Sequence, residues 1–93
     1  MLPKNRISAH PGEVLKEEFL LPMGISQADL ARRLKVSRNR LNEIITGKRG
    51  MTAETALLLA GYFRNSPEFW MNLQTAHDLT KARAARRRRG AAA

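Results

Sequence analysis

Several common structural elements are missing from this 93-residue sequence. It has no cysteine, so neither a disulfide framework nor a cysteine-based zinc site can form. Its longest apolar run, residues 56–60, is far too short to span a bilayer. No strand pattern of useful length occurs, and residues 1–6 are not followed by the apolar core of a signal peptide. We therefore expect one small, soluble, cytoplasmic domain that is all-α.

Groups typical of an enzyme active site are also scarce. The two histidines, His10 and His77, lie at opposite ends of the chain, and neither has a carboxylate at a spacing that suggests a dyad or a metal site. Glu17 and Glu18 are adjacent on a predicted helix, so they do not converge on one point. No glycine-rich phosphate loop is present. We expect no catalysis, no metal and no other cofactor.

Acidic residues are few. The chain has 17 Lys and Arg against 8 Asp and Glu, a formal net charge of +9. Residues 26–50 hold seven basic side chains and two acidic ones. This excess favours a polyanionic partner and an affinity that depends on salt. Charge alone does not choose between DNA, RNA, an anionic membrane and an acidic protein.

Residues 26–50 have the pattern of two short helices that meet at a tight corner. Ser26 is a predicted N-cap with Asp29 at the capping-box spacing, and Ser37 is a predicted N-cap for the second helix. Gly47 is a predicted helix terminator. Each helix has one apolar stripe at three- and four-residue steps, formed by Ala28, Leu30, Ala31 and Leu34 in the first and by Leu41, Ile44 and Ile45 in the second. The pattern predicts a helix-turn-helix, which presents its second helix to the DNA major groove.

The outer face of the second helix carries side chains that can read bases. Arg38 can pair with guanine, and Asn39 and Asn42 can pair with adenine. Gln27 lies at the start of the first helix, where free backbone donors favour a phosphate. The alternative interpretation is that Arg38, Asn39, Arg40 and Asn42 form an ordinary solvated helix face.

Three further helices complete the prediction of a five-helix fold. The first runs from Pro11 to Leu21 and is broken by Pro22 and Gly24; the fourth, capped by Thr52, runs to about Arg64, with Leu57 inward and Leu58 nearer the surface. The fifth begins at Ser66-Pro67 and runs to about Leu79. The predicted organisation is a loosely ordered arm over residues 1–10, a helix-turn-helix domain with a C-terminal packing and dimerisation helix over 11–80, and a basic, disordered tail over 81–93.

The fifth helix contains the candidate dimer surface. One recognition helix reads only a few base pairs, so two must be held about 34 Å apart to enter successive major grooves. Four of the five aromatic residues lie between positions 62 and 70. Adjacent helical residues point about 100° apart, so one core does not easily take both Phe69 and Trp70. The candidates are Phe69, Trp70 and Leu73; the alternative is that they complete the monomer core.

The C-terminal segment is strongly basic. Residues 81–93 read KARAARRRRGAAA, with six positive charges and no negative one. Four consecutive like charges repel one another and nothing large and apolar anchors them, which predicts disorder.

Three segments together resemble HigA-type antitoxins of the XRE/Cro helix-turn-helix family. They are HPGEVLKEEFL, ISQADLARRLKVSRNRLNEIITGKRGMTAETALLLAGYF and SPEFWMNLQTAHDL, which cover residues 10–79. The resemblance implies a lambda-repressor-like fold and a homodimer that binds a palindromic operator in its own promoter. It also implies a cognate toxin partner, a RelE-like endonuclease that cuts mRNA on the ribosome.

The resemblance also implies roles for particular residues. Base contacts would come from Arg38, Asn39 and Asn42, and backbone contacts from Gln27, Ser37, Arg40, Thr46, Lys48 and Arg49. The run 86–89 departs from the family pattern, so its role stays open between nonspecific DNA binding and an acidic partner. Two other functions stay open as well: a stand-alone phage-type repressor without a toxin, and an RNA-binding or ribosome-associated module.

Overall fold

The computed structural model describes residues 7–92, and this part of the chain contains five helices and no strand. Helix α1 covers residues 11–23 in three continuous segments, Pro11–Val14, a π-helical Leu15–Leu20 and Leu21–Met23. The others are α2 (Gln27–Leu34), α3 (Arg38–Ile45), α4 (Ala53–Phe63) and α5 (Pro67–Ala92). The predicted all-α, five-helix fold is confirmed. Most of the predicted N-terminal arm, residues 1–6, lies outside the described residues.

Helix α1 begins at a histidine cap and continues past the proline that was expected to break it. His10 Nδ1 accepts a hydrogen bond from the Gly12 N–H at 2.9 Å, and Pro11 occupies the first helical position. A proline ring clashes with the carbonyl four residues earlier in a regular α-helix. The wide π turn before Pro22, in which Leu21 N–H donates to Lys16 O, is the local adjustment that lets the helix reach Met23. Gly24, at φ +66°, then ends it.

The predicted caps of the other four helices are all present. Asp29 N–H donates to Ser26 Oγ at 3.1 Å, but the Asp29 carboxylate pairs with Arg32 and so does not close a full capping box. The remaining caps have the same geometry, with the Arg40, Thr55 and Phe69 N–H groups donating at 3.0, 3.3 and 3.0 Å to the hydroxyls of Ser37, Thr52 and Ser66. Serine and threonine caps are local signals, which is why the sequence locates these helix starts so well.

The core lies between the helix-turn-helix and the two C-terminal helices. It is formed by Leu15, Leu20, Leu30, Ala31, Leu34, Leu41, Ile44, Ile45, Met51, Ala56, Leu59, Ala60 and Trp70. On α4 the expectation for two leucines is wrong: Leu57 is 63% exposed, and Leu58 packs against the core. The two residues flank the buried stripe on opposite sides, so helical periodicity alone does not show which of them is more buried.

Helix α5 is longer than the sequence predicts. It continues through Ala92 as 26 residues, so the expectation of a disordered tail after Thr80 differs from the structure. Alanine and arginine both have high helix propensity, and positive charge at a helix C-terminus interacts favourably with the helix dipole. Helix propensity and the helix dipole therefore both oppose the repulsion among Arg86–Arg89. Among residues 7–92, no helix is both long and apolar enough to cross a membrane.

Candidate nucleic-acid interface

Helix α3 is held by its inner side against the body of the protein. Leu41, Ile44 and Ile45 are buried, and Ala31 of α2 is buried at the corner, where its small side chain allows close approach of the helices. Gly12 approaches most closely, because a Cβ built on it would lie 1.8 Å from Ile44 O. The start of α1 therefore packs directly on the backbone of α3 and fixes its position.

The opposite side of α3 faces solvent. Arg38, Asn39 and Asn42 are exposed, and together with Gln27 of α2 they line one open cleft of about 460 Å³. The structure thus brings together the three predicted base-contacting residues and the predicted phosphate-contacting glutamine. An ordinary solvated helix face would be exposed in the same way. The feature that favours a binding surface is that these four side chains line one cleft.

A hydrogen bond links the two helices within this cleft. Asn42 Nδ2 donates to Gln27 Oε1 at 3.1 Å. The bond sets the orientation of the Asn42 amide and leaves its Oδ1 and second N–H for a base edge, the pair of groups that adenine recognition uses. Gln27 retains its Nε2 donors for a phosphate. The sequence gives no signal for this pairing, because the residues are 15 positions apart and meet only across the corner.

The other predicted backbone-contacting residues differ in how available they are. Ser37 Oγ accepts from the Arg40 N–H as a cap, which leaves its hydroxyl hydrogen to donate. Thr46 Oγ1 donates to Asn42 O at 2.9 Å, so its hydrogen is already used within the helix. Lys48 is exposed, whereas the Arg49 guanidinium pairs with Glu43 at 3.0 Å.

Arg40 has a different environment. It is half-buried, and its Nε atom is enclosed without a hydrogen-bond partner in the described part of the chain. A buried guanidinium N–H without a partner is costly. Because Nε is enclosed, a phosphate could meet this guanidinium only at its other nitrogens, and the backbone contact of Arg40 stays a prediction.

The candidate dimer residues separate into two kinds. Trp70 is 0% exposed, and its Nε1 donates to Asn65 Oδ1 at 2.9 Å. The prediction of an interface role for Trp70 is therefore wrong for this fold, because the side chain completes the monomer core. Phe69 is 37% exposed while its ring contacts Trp70, and Leu73 is half-buried. Phe69 and Leu73 remain candidates.

The two histidines are close in space although they lie at opposite ends of the chain. The rings of His10 and His77 pack edge to face with centroids 5.0 Å apart, and His77 Nδ1 donates to Ser8 O at 2.8 Å. Burial lowers the pKa of His10, and the neighbouring His77 lowers it further. Within residues 7–92, no group of three or more His, Cys, Asp or Glu side chains is placed to hold a metal ion.

Comparison with known proteins agrees with this architecture. A helix-turn-helix family model matches residues 15–70, more than half of the chain. The chain is 52% identical over 80 residues to virulence-associated protein I of Dichelobacter nodosus, covering 85% of this chain and 74% of that one. It is 47% identical over 72 residues to antitoxin HigA-1 of Vibrio cholerae, covering 77% and 68% of the two chains.

A solved structure of an antitoxin has the same fold as this chain. The Pseudomonas aeruginosa antitoxin HigA, determined with the higBA promoter, matches with a TM-score of 0.82 and 46% sequence identity. The match covers 88% of this chain and 89% of that one. The chain therefore belongs to the helix-turn-helix family, and its resemblance to the HigA-type antitoxins of that family is confirmed.

Proposed function

We propose that this protein is the antitoxin of a toxin–antitoxin pair and represses its own operon by inserting α3 into the major groove of operator DNA. The observation that carries the proposal is the cleft in which Gln27, Arg38, Asn39 and Asn42 converge on a helix that is packed rigidly from behind. Arginine and asparagine are the side chains that pair bidentately with guanine and adenine. The HigA structure determined with promoter DNA supports this function.

In this proposal the protein binds its operator as a homodimer. Each protomer contributes one α3, and the two must be about 34 Å apart to enter successive major grooves. Phe69 and Leu73 of α5 are the proposed interface residues, because they combine apolar surface with partial exposure. Base contacts come from Arg38, Asn39 and Asn42, and backbone contacts from Gln27, Ser37, Arg40 and Lys48. Thr46 and Arg49 join the backbone contacts on DNA by exchanging their bonds to Asn42 O and Glu43 for a phosphate.

The second partner is a toxin that the antitoxin neutralises, which we propose to be a RelE-like mRNA endonuclease. The support for this partner is the relative named antitoxin HigA-1, which aligns over 77% of this chain. Both activities would take place in the cytoplasm. A repressor without a toxin would use the same DNA surface, so the toxin is the part of the proposal that needs a separate test.

The DNA-binding part is tested by replacing one base-contacting and one backbone-contacting residue. We expect Arg38→Ala to cost about 1–3 kcal/mol on the operator and to relax preference at one base-pair position. Lys48→Ala is the matched control, because losing a phosphate contact weakens binding to operator and random duplex equally. Equal weakening by Arg38→Ala on both duplexes would instead make Arg38 a backbone contact.

The toxin part is tested by co-expression with the product of the neighbouring reading frame. We expect a stable complex and relief of growth arrest by the wild-type protein. Arg38→Ala should still relieve the arrest if neutralisation does not depend on base recognition. Operator binding by a protein that neither associates with nor neutralises that product would support the stand-alone repressor. Random RNA binding as tight as operator DNA would favour the RNA-binding alternative.

A further inference from the structure

The C-terminal half of α5 is a cationic helix that the proposed base-reading surface does not use. Residues 81–89 contain Lys81, Arg83 and the run 86–89, and the last acidic residue before them is Asp78. All six cations are exposed. At 1.5 Å per residue, these six charges lie along about 12 Å of helix axis.

The fold places this helix beside the end of α3. Gln74 accepts a hydrogen bond from the Met51 N–H at 2.7 Å, just after the loop that follows α3. One helical turn further along α5, His77 contacts Ser8 and His10. Lys81 then lines one cleft together with Thr46 and Gly47, the residues that end α3. The cationic segment thus begins beside the C-terminal end of the base-reading helix.

Because α5 is one continuous helix, residues 81–89 extend a fixed distance from the body of the protein. Helix α5 has 26 residues, about 39 Å of axis, and the protein measures 49 × 27 × 22 Å along its principal axes. No large apolar side chain follows Leu79, and the residues between the basic side chains of 81–89 are alanines. The segment therefore lacks the aromatic or aliphatic anchors that dominate protein–protein interfaces.

The charge pattern fits a nucleic-acid backbone. Successive residues of a helix point about 100° apart, so Arg86–Arg89 distribute positive charge around the whole helix and form no single recognition face. One cation per about 2 Å of axis is close to the charge density of duplex DNA, about one phosphate charge per 1.7 Å. A dense, sequence-independent match of this kind suits phosphates and gives no base discrimination.

We propose that residues 81–89 of α5 form a second, sequence-independent phosphate-binding element that contacts duplex DNA outside the base pairs read by α3. The inference rests on the proposed DNA-binding function. It adds a flanking contact that would lengthen the DNA segment each protomer covers and steepen the salt dependence of binding. It also gives the Arg86–Arg89 run a role.

The test compares two quadruple variants in the full chain. One carries Arg86→Gln, Arg87→Gln, Arg88→Gln and Arg89→Gln, and the other carries lysine at the same positions. Glutamine and lysine are both good helix formers, so circular dichroism should show α5 retained in each. Operator affinity is measured from 50 to 200 mM salt, together with the footprint of each protein on a long duplex.

We expect the glutamine variant to bind at least tenfold more weakly at 50 mM salt. Its log–log salt slope should be flatter by about 2–3.5, since each of two to four lost phosphate contacts contributes about 0.9. Its footprint should be shorter at the flanks, while its base preference stays unchanged. The lysine variant should behave as the wild type.

Three results would overturn the inference. The first is a glutamine variant with an unchanged salt slope and footprint. The second is a glutamine variant that loses only its association with the neighbouring gene product, which would assign the segment to a protein partner. The third is a change in base preference. Failure of the wild-type protein to discriminate operator from random duplex would instead contradict the proposed function itself.

Discussion

Asn42 and Gln27 are joined across the corner of the helix-turn-helix by a hydrogen bond of 3.1 Å from Asn42 Nδ2 to Gln27 Oε1. One residue is a proposed base contact and the other a proposed phosphate contact. The bond therefore couples the element that positions the protein on DNA to the element that reads the sequence. Because a fixed amide loses less conformational entropy on binding, this coupling should sharpen base discrimination.

The first prediction concerns this pair. We expect Gln27→Ala to weaken operator binding and also to reduce discrimination at the base pair that Asn42 reads, by about 0.5–1.5 kcal/mol. Gln27→Glu is the matched control, because its carboxylate still accepts from Asn42 but repels a phosphate. It should weaken binding to all duplexes and retain the discrimination. Binding assays on the operator and on single-base variants measure both effects, and equal discrimination in all three proteins would show that the bond has no role.

The second prediction concerns the contact between α1 and α3. We expect Gly12→Ala to lower the free energy of unfolding by at least about 2 kcal/mol, because the new Cβ would lie 1.8 Å from a backbone oxygen that no side-chain rotation can relieve. Gly61→Ala on α4 is the control. Nothing lies within 4 Å of its added Cβ, so replacing a helical glycine there should stabilise by about 0.5–1 kcal/mol. Urea unfolding of both variants checks the pair, and similar effects from both would contradict the close approach.

The third prediction separates the two aromatic residues at the start of α5. We expect Trp70→Ala to cost about 3–5 kcal/mol of stability, because it leaves a cavity and removes the donor to Asn65. Phe69→Ala should cost only about 1 kcal/mol but should weaken self-association, since part of its ring is exposed. Chemical unfolding and sedimentation measure the two effects. A folded Phe69→Ala variant that dimerises as tightly as the wild type would remove Phe69 from the interface.

The fourth prediction is a pH dependence of stability. The pKa of His10 is lowered below its ordinary value of 6.5 by burial first and by His77 second, with Lys81 lowering it and Asp78 raising it to smaller extents. The unfolded chain therefore binds the proton more readily. The contribution of His10 to the free energy of unfolding is therefore fully present above pH 6.5 and is lost as the pH falls below that value. Protonation at Nδ1 also removes the acceptor for the Gly12 N–H.

Replacing the histidine tests this dependence. His10→Asn keeps a residue suited to capping a helix but has no group that titrates in this range. We expect thermal stability to fall less between pH 7.5 and pH 5.5 in His10→Asn than in the wild-type protein. Lys16→Gln, which also borders the cleft of His10, should retain the wild-type pH dependence. Parallel curves for wild type and His10→Asn would show that His10 does not contribute.

The sequence predicted what depends on near neighbours and missed what depends on distant ones. Ser26, Ser37, Thr52 and Ser66 could be assigned as caps because a cap binds an N–H three residues away. The outward side of α3 followed from periodicity in the same way. The pairing of Gln27 with Asn42, 15 positions apart, had no such local signal.

Contacts between the two ends of the chain left no signal in the sequence. His10 and His77 are far apart in sequence, and the packing of α5 against the N-terminal segment brings their rings together. Trp70 was assigned to an interface because the sequence does not show which of two adjacent aromatics faces the core. Phe19 of α1 and Phe63 of α4 contact its ring from other helices, in addition to its neighbour Phe69.

Helix α3 divides its eight residues between two independent tasks. Leu41, Ile44 and Ile45 hold it in place, and Arg38, Asn39 and Asn42 take no part in the core. Substitutions at the exposed positions should therefore carry little thermodynamic penalty, generally within about 0.5 kcal/mol. The exposed positions can therefore be changed without disturbing the interior, which makes α3 a surface on which a designer can retarget the protein.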